Sequence, residues 1–356
     1  MSKIRYAIIG FGGIAENRVA KEGYGCDKTR FNGLEKAVLT GATDMNPARK
    51  EAAEALGLKW YDNMDAVLAD PEVDAVYIAT NNASHAALAC AALEAGKHVI
   101  VEKPAATNVA DAEKMVALAA AKGLSLSVDH MMVNNAWNIK AKEVMADGKL
   151  GAVNDSCFHM EFAYGYDPAE AATWRCSKIE EMGGPIGDVA SHCFYVAEFV
   201  FGKKIAKLAA VYYPKIVQMV AEDGAYIKFF FEDGMQSSAK VAFSEMRGGL
   251  GGTLSNLGYE LYGDKAVLRG YGTMFQLSGH ADEPVKVRLE LDKFDGKAES
   301  VAPCEIKNMY QCLIEHHAQS VLNGTPLTAE DALHNIELCE AAHESAQNGG
   351  KLIEVK

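Results

Sequence analysis

None of the eight cysteines, at 26, 90, 157, 176, 193, 304, 312 and 339, stands in a Cys-x-x-Cys pair. A chain of 356 residues needs no disulfide staples, so free thiols in a reducing compartment are expected. Positive charge is also short: 35 Lys and Arg face 48 Asp and Glu, a net charge of −13. This argues against a nucleic-acid partner, which needs a basic face. No apolar run approaches the length of a membrane span. "MSKIRYAIIG" enters a strand-like run with no leader pattern, so the expected location is cytoplasmic, with no membrane partner. There is no internal repeat, no low-complexity linker, and no Ser or Cys nucleophile motif. His316 and His317 are adjacent and would point different ways on a helix, with no acid at ligand spacing, so no metal site is expected.

What is present is a globular composition, 49% hydrophobic and 23% charged, in a chain long enough for two domains. Apolar strand-like runs at 4–10, 37–44, 75–80, 98–103 and 124–128 alternate with helical patterns at 47–56, 64–69, 83–96 and 107–123. The last of these predicts a Thr107 cap and a Gly123 stop. Continuous apolar strands separated by helices mean βαβ units and a parallel sheet covered on both faces. After about residue 130 the texture changes. A helix at 136–147 and another at 186–201 frame strand-like runs at 205–213, 215–221, 225–231, 235–243, 258–262, 265–270 and 285–292. Helical patterns at 306–323 and 329–347 close the chain. The reading is an α/β chain: a Rossmann half over 1–129, then an α+β half over 130–356 with an antiparallel sheet.

"IIGFGGIAENR" places Gly10, Gly12 and Ala15 as G-x-G-x-x-A directly after the first strand. The first Gly permits a tight turn, the second a close approach to a pyrophosphate, and the small third residue close helix–strand packing. The following helix start offers N–H groups to phosphates. The run Gly10, Phe11, Gly12, Gly13, Ile14 and Ala15 is therefore the candidate cofactor cradle. Asp44 ends the second strand, where a carboxylate accepts from ribose hydroxyls and repels a 2′-phosphate. Met45-Asn46 supplies no adjacent Arg, so NAD is favoured over NADP. Asp44 lies 29 residues after Ala15, and 22–33 looks like an insertion.

Four stretches resemble the Gfo/Idh/MocA oxidoreductases, a family that includes glucose–fructose oxidoreductase and inositol dehydrogenases. They are "GFGGIA", "ATNNASHAALACAALEAGKHVIVEKP", "GKLGAV" and "WRCSKIEEMGGPIGDVASH". The resemblance implies a Rossmann domain followed by an open, mostly antiparallel sheet. It adds Thr80, Asn81, Asn82, His85, Glu102, Lys103, Trp174 and Arg175 to the candidate cofactor contacts, with Met45 beside Asp44. It also implies a cis Pro104 that turns Lys103 toward the chemistry. The loop departs from the family's T-P-N, and Met131-Met132 replaces a frequent Arg.

Asp188 and His192 stand four apart, on one face of a helix. Histidine titrates near neutrality and suits acid–base work at a carbinol. On the family pattern, Lys103, Asp188 and His192 are the catalytic candidates and, with Tyr164, the substrate contacts; Tyr166 is a further aromatic in the same stretch. The implied function is an NAD-dependent dehydrogenase acting on CH–OH groups of a sugar, glycoside or cyclitol, a small polyhydroxylated substrate. The alternatives are a glycosidase or lyase that oxidises its sugar transiently, and a non-catalytic sugar or dinucleotide sensor. A homodimer or homotetramer is the family-based expectation.

Overall fold

The computed structural model describes residues 3–249, 254–280 and 286–355. The chain divides into two compact units, Met1–Met131 with Leu277–Ala281 and Lys307–Leu333, and Met132–Gln276 with Asp282–Ile306 and His334–Lys356.

The first unit is built on β1 (Ile4–Ile9), β2 (Ala37–Thr43), β3 (Lys59–Trp60), β4 (Ala75–Ile78), β5 (His98–Val101) and β6 (Leu126–Val128). All pair in parallel, in the order β3-β2-β1-β4-β5-β6. All four residues of β4 are fully buried, so both of its faces are covered. Each large aliphatic side chain so buried contributes about 1.5–3 kcal/mol relative to exposure. Strand order reverses between β1 and β4. In open parallel sheets that reversal opens a ligand crevice at the strands' carboxyl ends.

The helix between β5 and β6 spans Val109–Lys122, and its cap is Asn108, not Thr107. The Asn108 Oδ1 accepts from Asp111 N at 2.9 Å, an amide carbonyl one residue closer to the first turn. A single boundary at 129/130 leaves out a helix that this unit uses. Met309–Asn323 packs against β1, β2, β5 and the helix Ala15–Gly23. Its His317 Nδ1 lies 2.6 Å from Tyr6 OH of β1. Burial pushes His317 down to about 3, so the ring is neutral and its partners are Tyr6 and the Ser125 carbonyl. Residues 22–33 are fastened to the same helix: Gln311 Nε2 donates to Glu22 O at 3.2 Å and to Asn32 O at 2.9 Å.

The second unit holds β7 (Val153–Glu161), β8 (Ile205–Tyr212), β9 (Gly224–Phe231), β10 (Gln236–Ala242), β11 (Leu257–Gly263), β12 (Val267–Tyr271), β13 (Arg288–Asp292), β14 (Ala298–Val301) and β15 (Ile353–Glu354). They form one sheet, β14-β13-β12-β11-β7-β10-β9-β8-β15, antiparallel except between β7 and β10. One face carries the helix Ser191–Phe201, through ring contacts of Phe194 with Phe229 (5.9 Å) and Phe201 with Phe231 (5.2 Å). By the two-residue alternation of a strand, Cys157, His159 and Tyr226 point to the opposite face.

The strand expected at 215–221 is absent. Asp223 Oδ2 takes the backbone N–H groups of Ile216 (2.5 Å) and Val217 (2.9 Å), so this segment bonds a side chain instead of a neighbouring strand. Ile216 and Val220 are left exposed. Residue 285, where the last predicted strand begins, lies outside the described residues. Among the described residues, no helix is long and apolar enough to cross a membrane. None of the eight cysteines is in a disulfide.

Candidate functional site

In the first unit, the fingerprint turn begins where β1 ends. Gly10 has φ +91°, and a Cβ there would lie 2.6 Å from Thr80 Cγ2 and 2.8 Å from the Ala79 backbone. Only glycine lets the β1 and β4 ends approach this closely. Gly12 and Gly13 are the reverse case: a Cβ on either meets nothing within 4 Å. Phe11 and Ala15 are buried under the turn, whereas Ile14 is half exposed and no side chain caps the helix it starts. Open space over two glycines beside an uncapped helix start fits a dinucleotide's phosphates.

Asp44 follows β2, and its Oδ1 accepts from Asn46 N at 2.7 Å. Met45 is fully exposed. The sequence reading found no Arg adjacent to Asp44, but Arg49 folds back to the fingerprint. Its Nε donates to Phe11 O at 2.7 Å, its guanidinium pairs with Glu16, and it lies 5.8 Å from the Phe11 ring centre.

The loops after β4 and β5 are tied together. His85 Nδ1 lies 2.8 Å from Pro104 O, and its Nε2 lies 3.2 Å from Thr80 O. Burial lowers the His85 pKa, which favours the neutral ring; its single N–H serves the nearer Pro104 carbonyl, and Thr80 O is left as a close contact. Ser84 Oγ meets Thr80 Oγ1 at 2.7 Å and Asn81 O at 2.9 Å, and Asn82 is buried. Thr80 therefore touches both Gly10 and His85, and His85 holds the turn that carries Glu102 and Lys103. The Lys103–Pro104 peptide is cis.

Behind Lys103 stands a group that the sequence reading missed. Tyr77 OH lies 3.1 Å from Glu102 Oε1 and 2.6 Å from Asp129 Oδ2. Burial, and next the neighbouring Asp129, hold Glu102 well above the ordinary carboxylate value; burial raises Asp129 as well. The signal was available: Asp129 follows β6 as Glu102 follows β5, a charge at the carboxyl end of a buried parallel strand.

In the second unit, Asp188 lies in a wide helical turn, Ile186–Ala190, that runs into Ser191–Phe201. Such π-type turns occur often at functional sites. Asp188 and His192 are both buried. The Asp188 Oδ2 accepts from Arg175 Nε at 2.7 Å. The Arg175 guanidinium lies 5.2 Å from the Tyr164 ring centre and 5.4 Å from that of Trp174. Asp188 is thus a partner of Arg175, a link that reading the two motifs separately did not provide. Tyr164 stacks on Phe162 at 4.7 Å; burial, against the pull of Arg175, pushes its phenol up to about 12. Tyr166 is exposed. His192 Nδ1 lies 2.6 Å from Tyr195 OH, a partner three residues on that the sequence reading did not name, although helical spacing places it within reach.

The start of this helix is held by Glu222, whose Oε1 accepts from Ile186 N at 2.9 Å. Glu222 Oε2 is buried without a hydrogen-bond partner, and burial pushes the carboxyl up to about 7. Gly184, at φ +82°, leaves room for it: a Cβ there would lie 2.5 Å from that oxygen.

On the opposite face of the second sheet, ligand-type atoms of Cys157, His159 and Glu260 lie within 4.8 Å of one another. His159 Nε2 is 2.8 Å from Glu260 Oε2. Burial opposes a charge on His159, but its bonds to Cys157 and Glu260 outweigh this and push it up to about 10. The ring is then an imidazolium, and a metal would have to displace its proton.

Comparison with known proteins agrees with this architecture. Residues 4–130 match the oxidoreductase family described as NAD-binding Rossmann fold, and 138–269 match the GFO/IDH/MocA C-terminal domain. A 1,5-anhydro-D-fructose reductase of Ensifer adhaerens is 28% identical over 291 residues, 81% of either chain. An aldose–aldose oxidoreductase from Caulobacter crescentus, solved with glycerol, superposes with a TM-score of 0.84 at 23% identity, covering 99% of this chain and 100% of that one. A levoglucosan dehydrogenase solved with NADH and levoglucosan gives 0.82 at 20% identity, covering 99% and 100%. With both family domains matched in order, a parallel sheet that opens on a glycine cradle, and a mixed sheet following it in sequence, the chain belongs to the GFO/IDH/MocA family of oxidoreductases and carries its NAD(P)-binding Rossmann domain.

Proposed function

We propose that this chain is an NAD-dependent dehydrogenase that moves a hydride between a carbinol of a sugar, glycoside or cyclitol and nicotinamide. The observation that carries the reading is the run of contacts from Gly10 through Thr80 and His85 to Pro104, which ties the Lys103 turn to the cofactor cradle. The relatives' names, a sugar reductase and sugar dehydrogenases, support the substrate class.

When bound, the nicotinamide supplies the hydride acceptor. The backbone of Gly10, Phe11, Gly12, Gly13, Ile14 and Ala15 would cradle the pyrophosphate, and Asp44 the adenosine ribose. Arg49 is engaged by Glu16 and Phe11 O, so a 2′-phosphate would meet Asp44 first; this supports NAD over NADP. Thr80, Asn81, Asn82, His85 and Glu102 would shape the nicotinamide end, and Trp174 and Arg175 are kept as further contacts.

Lys103 would donate a hydrogen bond to the reacting oxygen and stabilise its developing negative charge. His192 would take the hydroxyl proton; with Nδ1 at Tyr195, the exchange would run through Nε2. Asp188, held by Arg175, would accept from a neighbouring substrate hydroxyl, with Tyr164 nearby on the same guanidinium. A homodimer or homotetramer belongs to the same proposal, and sedimentation would measure it.

A panel of sugars and cyclitols assayed by NADH absorbance tests this reading. Turnover is expected on at least one, with Lys103→Met lowering kcat about 100- to 1,000-fold while NADH still binds. Equal turnover by Lys103→Met, or none on any panel member, would overturn it.

A further inference from the structure

The three groups behind Lys103 are brought together by strand register. Tyr77 pairs with Ile100, and Ile100 with Ser127, across β4, β5 and β6. Glu102 and Asp129 each stand two residues further along, so by alternation all three side chains share one face of the sheet. The backbone continues the ladder past the strand ends: Glu102 N donates to Ile78 O at 2.9 Å and Asp129 N to Val101 O at 2.8 Å.

The phenol has one hydrogen and two carboxyls to serve. Tyr77 and Asp129 are fully buried, and Glu102 is half-buried. Asp129 Oδ1 is buried and has no hydrogen-bond partner. With both carboxyls ionised, that oxygen would be an unpaired acceptor beside a second negative charge, the costliest arrangement a low-dielectric site can hold. A proton between the two carboxyls removes one charge and supplies the missing donor. The two side chains are within hydrogen-bonding reach of each other.

We propose that Glu102 and Asp129 hold one shared proton and that the pair positions Lys103, presenting it with one negative charge instead of two. The positioning half rests on the catalytic reading of Lys103; the proton-sharing half does not. The charged and titratable groups around the pair are Lys103 on the same turn, His130 after β6, Tyr77 of β4, and Tyr310 of the helix Met309–Asn323 next to Tyr77. Lys103, His130 and the Tyr77 hydroxyl favour ionisation, while burial and the repulsion between the two carboxyls oppose a second charge. A doubly ionised pair would hold the ammonium of Lys103 back from a substrate oxygen. A neutral pair would lose the charge that orients it. Asp129 and Tyr77 are positioning residues here.

Infrared spectroscopy of the full chain at neutral pH reads the proton directly, because a protonated carboxyl has a C=O stretch that a carboxylate lacks. Wild type minus Glu102→Gln, and wild type minus Asp129→Asn, should each show one such band; Glu222 is common to both spectra and cancels. In the unsubstituted chain the shared-proton band should shift with 13C-carboxyl labelling of Asp as well as of Glu, whereas the Glu222 band follows the Glu label alone, which keeps the test alive if a variant does not fold. No difference band, or no protonated-carboxyl band that shifts with the Asp label, overturns the proton sharing. For the positioning half, the pH profile of kcat should lose one ionisation in Asp129→Asn while NADH affinity stays unchanged. An unaltered profile overturns that half. An inactive panel or an indifferent Lys103→Met would sink the catalytic reading instead, and would leave the infrared result standing.

Discussion

Two glycines of the fingerprint turn are separable by experiment. Gly10→Ala puts a non-glycine residue at φ +91° and its methyl 2.6 Å from Thr80 Cγ2 and 2.8 Å from the Ala79 backbone. The backbone conformation costs about 1–2 kcal/mol, and overpacking against backbone that cannot retreat adds about 1–3 kcal/mol. The expected loss is therefore about 2–5 kcal/mol of stability. Gly12→Ala meets no protein atom within 4 Å and has no positive φ to violate. Its stability should hold, or rise by about 0.4–1 kcal/mol because the unfolded chain loses freedom. Its methyl does, however, occupy the space assigned to the pyrophosphate. Losing one backbone bond to a charged oxygen costs about 1.5–3 kcal/mol, which is about 10- to 100-fold in Kd. Urea unfolding of the free chains and NADH fluorescence titration read the two quantities. The pattern should be crossed: Gly10→Ala destabilised, Gly12→Ala stable but weak-binding. Wild-type NADH affinity in Gly12→Ala would refute the cradle. Equal destabilisation by both would refute the packing.

Further outcomes follow from the second unit. Glu222, raised from 4.5 to about 7, keeps its proton in the folded chain while the unfolded chain gives it up. Stability therefore falls as pH rises through that window, by up to about 3 kcal/mol. Glu222→Gln should flatten the slope of urea-unfolding free energy between those limits; an unchanged slope rejects the assignment. Arg175→Met strands the buried Asp188. Breaking a buried pair costs about 3–5 kcal/mol, which solvent screening at the part-exposed Arg175 reduces to about 2 kcal/mol. Most of that loss should vanish in an Asp188→Asn background, and a double-mutant cycle with no coupling would count against the pair.

The parallel sheet was legible because its strands are apolar on both faces and its turn carries three spaced small residues; Gly10 and Ala15 lie where that pattern put them. Legibility failed where a side chain replaces a backbone partner. Ile216, Val217 and Val220 looked like a strand, but Asp223 takes the N–H groups that would have made the ladder. It failed again where partners are far apart in sequence. Asp129 and Glu102 meet only across two strands, and Arg175 reaches Asp188 only after a turn that local patterning does not set. The His192 contact with Tyr195 was also missed, although three residues on a helix fix a neighbour and the spacing alone would have found it.

The helix Met309–Asn323 sets the order of events on the ribosome. Tyr6 of the first strand meets His317, 311 residues later, and the 22–33 stretch is fastened to Gln311. Domains that fold during synthesis generally do so from the amino end as units. Here the cofactor-binding unit is left with an uncovered flank until almost the whole polypeptide has emerged. The nascent chain must carry that apolar surface through the making of β7 to β14 of the mixed sheet, which makes the amino-terminal third a poor candidate for expression alone.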